Sequence, residues 1–214
     1  MEYIAYVETP YKEKFGIPRQ SGLAESTCGE IIFTPKFRNP DAVRGIEEFS
    51  HLWLLWEFSR AKQDTFHATV APPRLGGKEK RGVFATRSPF RPNSIGLSCV
   101  KLEKVRIDQK LGPVLTVSGL DLLDHTPLFD IKPYLPYVDA HPEAKNGFAE
   151  EFREFQIPVV FPENCRHRFR NICEDRFLRF LHRTPGRHTT KSRIISTGWH
   201  LMIMTSGLWW QREF

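Results

Sequence analysis

The sequence predicts a mainly β protein, folded as a barrel or curled sheet with minor helical decoration. Short apolar segments recur at regular spacing and are separated by turns rich in proline and glycine. The longest of them, residues 97–107, alternates apolar and polar side chains. Neither a GxxxxGK[ST] loop nor a GxGxxG loop after a strand is present. Their absence argues against a doubly wound nucleotide-binding sheet.

The predicted strands follow one another along the chain. Residues 3–7 and 28–33 form the first two, and residues 50–58, the most apolar segment, form a central strand. Shorter strands are predicted at 68–71 and, buried, at 82–85, and a hairpin joins 97–107 to 114–120 through a turn at 111–113. A helix is predicted to begin at Asn39, with Val43, Ile46 and Phe49 on one face.

The composition is that of a soluble globular protein, with 214 residues, 40% hydrophobic and 26% charged. No apolar run approaches the roughly 20 residues that span a bilayer, and the N-terminus does not resemble a signal peptide. The four cysteines form no CxxC pair and fit no familiar zinc spacing. We therefore expect a reduced, cytoplasmic protein without a metal site.

The positive charge is concentrated at one end of the chain. Residues 1–162 carry 21 basic and 21 acidic side chains, whereas residues 163–214 carry 10 basic and 4 acidic ones. The first part has 10 Arg and 11 Lys, and the second has 9 Arg and 1 Lys. This change in composition indicates a boundary near Pro162.

Polar side chains on stiff loops mark a candidate binding site. Two arginines, Arg87 and Arg91, lie on a proline-containing loop between predicted strands, and Arg19 and Gln20 follow Pro18. Three aspartates, Asp121, Asp124 and Asp130, follow an apolar strand. The alternative interpretation is a set of solvated turns capped by aspartate and asparagine. His51 lies near the start of the predicted central strand and, by its residue type alone, is more often a core or edge histidine than a catalytic one.

Five ordered motifs turn these hints into a resemblance. They are Y-K-E-K-F-x-x-P-R-Q, D-A-V-R-G-x-E-x-F-S-H-L-W, P-P-R-L-G-G, G-V-F-A-T-R-S-x-F-R-P-N-x-I-G and L-D-L-x-D-x-T-P-x-x-D-I-K-P-Y-L-P. Together they resemble the TsaA/TrmO family of S-adenosylmethionine-dependent tRNA adenine N6-methyltransferases, over about residues 3–150. The resemblance implies a single-sheet β-barrel domain at residues 1–150, acting as a homodimer. It also implies methylation of threonylcarbamoyl-adenosine next to the tRNA anticodon.

The resemblance also implies where S-adenosylmethionine binds. Forked and amide donors would hold the carboxylate and ring edges, and the aspartate segment would meet the ammonium, the ribose or the sulfonium. Asp124 and His51 are the candidates for a general base, and water is the alternative. His125 stands where the family's D-G-T-P motif has glycine, so a positive φ at this position would cost energy. The implied cofactor residues are Pro18, Arg19, Gln20, Ser59, Arg60, Arg87, Arg91, Asp121, Leu122, Leu123, Asp124, His125 and Thr126.

Residues 151–214 depart from the family, whose small C-terminal domain contains D-P-R-P-A-Y. Residues 183–189, R-T-P-G-R-H-T, can be written with codons whose other frame spells D-P-R-P-A-Y. Residues 196–207 permit Y-G-M-A-(L or F)-D-D-Y-D-V-W at the same offset, which matches a later strand of the family, Y-G-x-x-x-x-D-Y-D-V. We hypothesise a frameshift between about residues 161 and 182, which gives a poorly folded tail; the coding DNA decides it. The alternative to a frameshift is a native arginine-rich extension that binds tRNA phosphates. For the function, the alternative to an enzyme is a non-catalytic relic that still binds S-adenosylmethionine or RNA. Methylation of another small substrate on the same barrel also stays open.

Overall fold

The computed structural model describes residues 1–13, 17–61, 65–72, 75, 77 and 79–152, together with three strands within 192–213. The contacts divide the chain into two units. One comprises Met1–Ala68 and Arg87–Ala144, and the other Thr69–Thr86 and Lys145–Phe214. The domain boundary expected at residue 150 stays a prediction. In the ranges that the structure describes, no helix has the length and apolarity needed to cross a membrane.

The strands form three separate antiparallel sheets. Six strands of the first unit close a barrel in the order β1-β2-β7-β6-β3-β8, with β8 pairing back to β1. This arrangement confirms the mainly β fold with one closed sheet. The strands are β1 Ala5–Glu8, β2 Cys28–Phe33, β3 His51–Glu57, β4 Thr69–Val70, β5 Arg81–Gly82, β6 Ile95–Asp108, β7 Gly112–Ser118, β8 Thr126–Pro133, β9 Ser192–Thr197, β10 His200–Thr205 and β11 Leu208–Glu213.

The barrel interior is filled by every second residue of its strands. Along β3, Leu52, Leu54 and Trp56 are buried while the residues between them are only partly buried. This is the period-two pattern of a strand with one covered face, and it confirms the central strand predicted at residues 50–58. The core residues from the other strands and the loops are Ala5, Val7, Ile31, Phe33, Val43, Val100, Leu115, Val117, Leu120, Leu122 and Leu128.

The helix predicted from Asn39 is replaced by two 3₁₀ helices, Pro40–Val43 and Ile46–Glu48. Asn39 does cap the first of them, since its side chain accepts a hydrogen bond from the Asp41 amide at 3.0 Å. The chain cannot continue as one α-helix, because Gly45 takes a left-handed conformation with φ +81. A third 3₁₀ helix, Pro35–Phe37, and a short α-helix, α1 at Pro136–Asp139, complete the helices described in this unit.

The hairpin turn between β6 and β7 lies slightly earlier than predicted. It occupies residues 109–111, because Asp108 Oδ1 accepts hydrogen bonds from the amides of Lys110 and Leu111 at 2.8 and 3.0 Å. Gly112, with φ +69, then opens β7.

The prediction of a buried strand at residues 82–85 is wrong. Strand β5 ends at Gly82, and Val83–Ala85 forms a 3₁₀ helix. Thr86 closes this helix with two hydrogen bonds to the Val83 carbonyl oxygen, from its amide at 3.2 Å and its hydroxyl at 2.9 Å. Val83 is buried, so its apolarity was read correctly but its backbone conformation was not.

The second unit contains two small sheets. Strands β4 and β5 pair with each other, which confirms the short strand predicted at residues 68–71. Strands β9, β10 and β11 form an antiparallel meander in the order β11-β10-β9. A further 3₁₀ helix spans Gly147–Phe152. The proposed frameshift interval, residues 161–182, lies outside the described residues, so that hypothesis stays a prediction.

Candidate functional site

A loop containing residues 17–24 is attached to the barrel at the start of β6 and the end of β7. The Cys99 amide donates to Ser21 Oγ at 3.1 Å, and the Gly22 amide donates to the Gly119 carbonyl at 2.9 Å. Both glycines have positive φ, +78 and +76, which a side chain rarely tolerates. These bonds fix the loop, so the preceding Pro18, Arg19 and Gln20 are presented beside the segment that begins at Asp121.

Three of the predicted site residues come together at this place. Arg87 Nη1 donates to Gln20 Oε1. The positive charge of Arg87 also acts on the carboxyl of Asp121 and favours its ionised form. A forked cation, an amide and a carboxylate from three separate loops therefore form one cluster, which we call the Gln20–Arg87–Asp121 cluster.

Asp121 is held by donors from two neighbouring segments. Ser98 Oγ, on β6, donates to Asp121 Oδ1 at 2.6 Å, and Trp56 Nε1, on β3, donates to Ser98 Oγ at 2.9 Å. The backbone amide of Ser21 also donates to this carboxyl. Burial raises the pKa of Asp121 above its ordinary value, and the hydrogen bonds from Ser98 and Ser21 and the charge of Arg87 reduce that rise.

Gly96 lets the Trp56 ring lie against β6. A Cβ at residue 96 would lie 2.3 Å from Trp56 Cε2 and 2.4 Å from Cζ2, so only glycine fits there. Phe58 packs edge-on against the same indole, with ring centroids 4.2 Å apart. The indole is thereby fixed on two sides, and its N–H is aimed at Ser98.

Ser59 and Arg60 follow β3 and are exposed. The Phe58 amide donates to the Ser94 carbonyl at 2.8 Å, so these two residues begin beside the loop that carries Arg91. Within that loop the Arg91 amide donates to the Pro89 carbonyl at 2.9 Å, a local turn of the kind proline favours. The backbone that leads to Ser59 and Arg60 thus runs beside the end of the loop that contains Arg91.

Asp124 belongs to a different set of contacts, which attaches the segment after β7 to the segment after β1. Its Oδ1 accepts from the Thr9 amide at 2.9 Å and its Oδ2 from Lys12 Nζ at 2.6 Å, while its own amide donates to the Tyr11 carbonyl at 2.8 Å. Thr9 Oγ1 adds a bond to the Leu122 carbonyl at 3.1 Å. Because both carboxylate oxygens are engaged by the protein, this geometry favours a structural role for Asp124.

Replacing Asp124 with asparagine should lower the free energy of unfolding at pH 7 by about 1–2 kcal/mol, since charged hydrogen bonds are lost. Burial raises the pKa of Asp124, but Lys12 and the Thr9 amide outweigh it, so the pKa falls below its ordinary 3.8. A carboxyl whose pKa is lower in the folded than in the unfolded protein stabilises the fold at pH values above its unfolded pKa. That contribution is lost as the pH falls through its folded pKa. The difference between variant and parent, measured by urea unfolding at pH 7, 5 and 3, should therefore shrink at pH 3.

Asp41→Asn is the matched control for Asp124→Asn, because the Asp41 side chain is 66% exposed and forms an ion pair with its neighbour Arg44 across one 3₁₀ turn. Its effect should be small at each pH. An equal loss for Asp124→Asn at all three pH values would contradict the charged role.

His125 adopts φ +59, the one positive φ found among the described non-glycine residues. The positive φ at this non-glycine residue is the strained conformation that the sequence led us to expect. The His125 amide donates to the Val7 carbonyl at 2.8 Å, and its ring lies edge-on to Tyr6 at 5.6 Å between centroids. These contacts hold the strained backbone in place.

Replacing His125 with glycine should raise the free energy of unfolding by about 0.5–1 kcal/mol, since glycine adopts a left-handed conformation without steric cost. Part of the gain is offset by the greater freedom of glycine in the unfolded chain. Urea unfolding measures the difference. His125→Ala is the control, because it loses the ring and keeps the Cβ; a glycine variant less stable than this alanine variant would contradict the strain.

The side chains of three other predicted residues make their contacts elsewhere in the barrel. His51 is three residues from Leu54, the β3 position paired with Ser98, which is about 10 Å along the strand. The side chain of Leu122 is fully buried in the core, and that of Thr126 donates to the Leu123 carbonyl at 2.6 Å. His51 also sits near the Tyr134 ring, 6.1 Å between centroids, and beside Ser50 Oγ at 2.9 Å.

Several contributors to the site were missed from sequence. Trp56 was assigned only to the core and Ser98 was taken as part of an alternating strand, while Ser21, Thr9 and Lys12 were not singled out. Their partners are far along the chain, with a sequence separation of 42 for Trp56 and Ser98 and of 115 for Thr9 and Asp124. The polar residue at a fully buried strand position, Ser98, was the one available signal, because buried polar groups require partners.

Comparison with known proteins identifies this barrel. Residues 6–140 match the family model described as the tRNA-methyltransferase O N-terminal domain. A crystal structure of TrmO from Pseudomonas aeruginosa superposes with a TM-score of 0.66 at 32% identity, covering 94% of this chain and 89% of that one. Fold and site together thus define a methyltransferase domain built on a closed β-barrel.

Two curated relatives narrow this class. The tRNA (adenine(37)-N6)-methyltransferase of Escherichia coli is 46% identical over 160 residues, which are 75% of this chain and 68% of that protein. A putative S-adenosylmethionine-dependent methyltransferase of Pseudomonas aeruginosa is 49% identical over 147 residues, covering 69% of this chain and 59% of that protein. The aligned part thus spans about 60–70% of these relatives. The chain belongs to the TrmO family of tRNA methyltransferases, and the cofactor of this enzyme class is S-adenosylmethionine.

Proposed function

We propose that this chain transfers a methyl group from S-adenosylmethionine to the exocyclic amino group of threonylcarbamoyl-adenosine next to the tRNA anticodon. We further propose that it acts as a homodimer in the cytoplasm, with residues 1–150 as the methyltransferase domain and 151–214 as a divergent extension. The observation that carries the proposal is the Gln20–Arg87–Asp121 cluster on a barrel of the TrmO family.

The chemistry of this cluster fits the proposed cofactor. S-adenosylmethionine supplies a methyl group on a cationic sulfur, together with a carboxylate, an ammonium and an adenine ring. Arg87 would bind the carboxylate through two parallel hydrogen bonds, and Gln20 would bind the adenine edge through its amide. Asp121, held as an acceptor by Ser98, would face the positive charge of the ammonium or sulfonium. In this proposal Pro18, Arg19, Ser59, Arg60 and Arg91 would complete the cofactor site.

Methyl transfer requires the protein to align the methyl donor with the acceptor amine and to exclude water. Transfer would form a bond between the methyl carbon and the adenine N6 nitrogen and break the bond from carbon to sulfur; S-adenosylhomocysteine and the N6 proton would leave. Asp124 is poorly suited to take this proton because Lys12 and Thr9 engage its oxygens and lower its pKa. His51 lies about 10 Å along β3 from the position paired with Ser98. We therefore assign the proton to water.

One assay tests the proposed function. The full chain is incubated with methyl-labelled S-adenosylmethionine and either threonylcarbamoyl-modified or unmodified tRNA. Incorporation into the modified tRNA alone supports the proposal. Incorporation into both tRNAs would contradict threonylcarbamoyl-adenosine as the required substrate. Binding of S-adenosylmethionine without transfer would instead support the non-catalytic relic. Size-exclusion chromatography with light scattering tests the homodimer.

A further inference from the structure

Ser98 is a buried hydroxyl placed between two polar partners. Its side chain accepts a hydrogen bond from Trp56 Nε1 at 2.9 Å and lies 2.6 Å from Asp121 Oδ1. Ser98 is 1% exposed and Trp56 is 7% exposed. The indole N–H can only donate. The single hydrogen of the serine hydroxyl is therefore left for Asp121, and the direction of both bonds is fixed.

The groups around Asp121 come from four segments. Ser98 contributes from β6, Ser21 contributes its amide from the 17–24 loop, and Arg87 contributes a positive charge. Tyr11, after β1, is the other titratable group that interacts with Asp121; burial raises its pKa first, and the negative charge of Asp121 adds to the rise. Among these neighbours, Ser98 is the one whose donor hydrogen is oriented by a third residue.

We propose that Trp56 and Ser98 are positioning residues that hold Asp121 as an ionised acceptor facing Arg87. Neither residue touches the cofactor: Trp56 orients the serine hydroxyl, and the hydroxyl favours the ionised carboxylate. The inference deepens the proposed function, since it rests on Asp121 and Arg87 forming the S-adenosylmethionine site. Gly96 is part of the same device, because only a residue without a Cβ allows the indole to reach Ser98.

Loss of the serine hydroxyl should make Asp121 easier to protonate. Burial already raises the pKa of this carboxyl, and Ser98 is the first of the groups that oppose the rise. Without that donor the carboxyl takes up a proton at higher pH. A neutral Asp121 no longer offers a counter-charge to a cationic ligand. Cofactor affinity should then fall on the acidic side of a pH profile, and the fall should begin at higher pH than in the parent protein.

The experiment compares the full chain with four variants: Ser98→Ala, Ser98→Thr, Trp56→Phe and Asp121→Asn. Titration of ¹³C-labelled aspartate carboxyls by NMR follows Asp121 directly, and calorimetry measures S-adenosylmethionine affinity from pH 5 to 8. In Ser98→Ala we expect the Asp121 titration and the acidic limb of affinity to move together to higher pH, with binding about tenfold weaker on that limb. In Trp56→Phe the Asp121 titration and the acidic limb should move less than in Ser98→Ala. In Ser98→Thr, which keeps the hydroxyl, both should stay as in the parent. Asp121→Asn should abolish the acidic limb of the affinity profile.

Two results would overturn the inference. An unmoved Asp121 titration in Ser98→Ala would show that the serine does not set the charge of the carboxyl. A loss of affinity that is equal at every pH would show that Ser98 acts only through packing. If the parent chain fails to bind S-adenosylmethionine, the proposed function fails, and the NMR titration still decides whether Ser98 controls Asp121.

Discussion

Replacing Arg87 with alanine should weaken S-adenosylmethionine binding by about ten- to a hundredfold, because charge-assisted hydrogen bonds to a carboxylate contribute about 1.5–3 kcal/mol. Arg87 is the cation of the Gln20–Arg87–Asp121 cluster and is exposed, so its removal leaves the core intact. Methyl transfer to tRNA should fall at least as far. Calorimetry on the full chain measures the affinity, and incorporation of labelled methyl measures the transfer.

Two further variants make the Arg87 result specific. Arg87→Lys keeps the charge but loses the planar fork, so its affinity should lie between those of the parent and the alanine variant. Lys110→Ala removes a basic residue from the turn after β6, at the opposite end of that strand from the cluster. It should bind like the parent. If Lys110→Ala weakens S-adenosylmethionine binding as much as Arg87→Ala does, the effect of Arg87 comes from net charge and not from its place in the cluster.

Replacing Gly96 with alanine should lower the free energy of unfolding by about 2–3 kcal/mol, because overpacking a fixed ring displaces side chain and backbone together. The added Cβ would meet three atoms of the Trp56 ring at 2.3–2.6 Å. The ring has little freedom to move away, since Phe58 packs against it and Ser98 accepts its N–H. Urea unfolding gives the stability, and the near-ultraviolet circular dichroism reports the indole.

The control for Gly96→Ala is Gly82→Ala. A Cβ at residue 82 meets nothing within 4 Å, and its φ of −55 is open to alanine. This variant should be as stable as the parent. The steric account fails if Gly96→Ala unfolds at the same urea concentration as Gly82→Ala.

Features encoded by local pattern were predictable from sequence. The apolar run at residues 50–58 identified β3, because a short, continuous apolar run bounded by polar residues is typical of a buried strand. The chemistry of Arg87, Gln20 and Asp121 marked a polar site, since such side chains on short, stiff loops are expensive to immobilise without a ligand. Family motifs then supplied what each group would bind.

Features set by distant contacts were not predictable in the same way. The closing strand β8 was interpreted as part of a ligand-binding segment, because Pro127, Asp130 and Pro133 disfavour a strand. Pairing on both sides overrides that preference, with β1 on one edge and β3 on the other. Similarly, no local signal joins Trp56 to Ser98, since their contact exists only after two strands pair.

The pairing of β1 with β8 determines the order in which the barrel can be completed. Ala5 pairs with Leu128, so β1 cannot pair with its second neighbour until more than 120 further residues have been synthesised. Closing such a long loop is an entropic cost that slows folding. Once Pro133 has emerged from the ribosome, every strand of the barrel is available. A change of reading frame beyond residue 160 would thus leave every strand of the barrel unchanged.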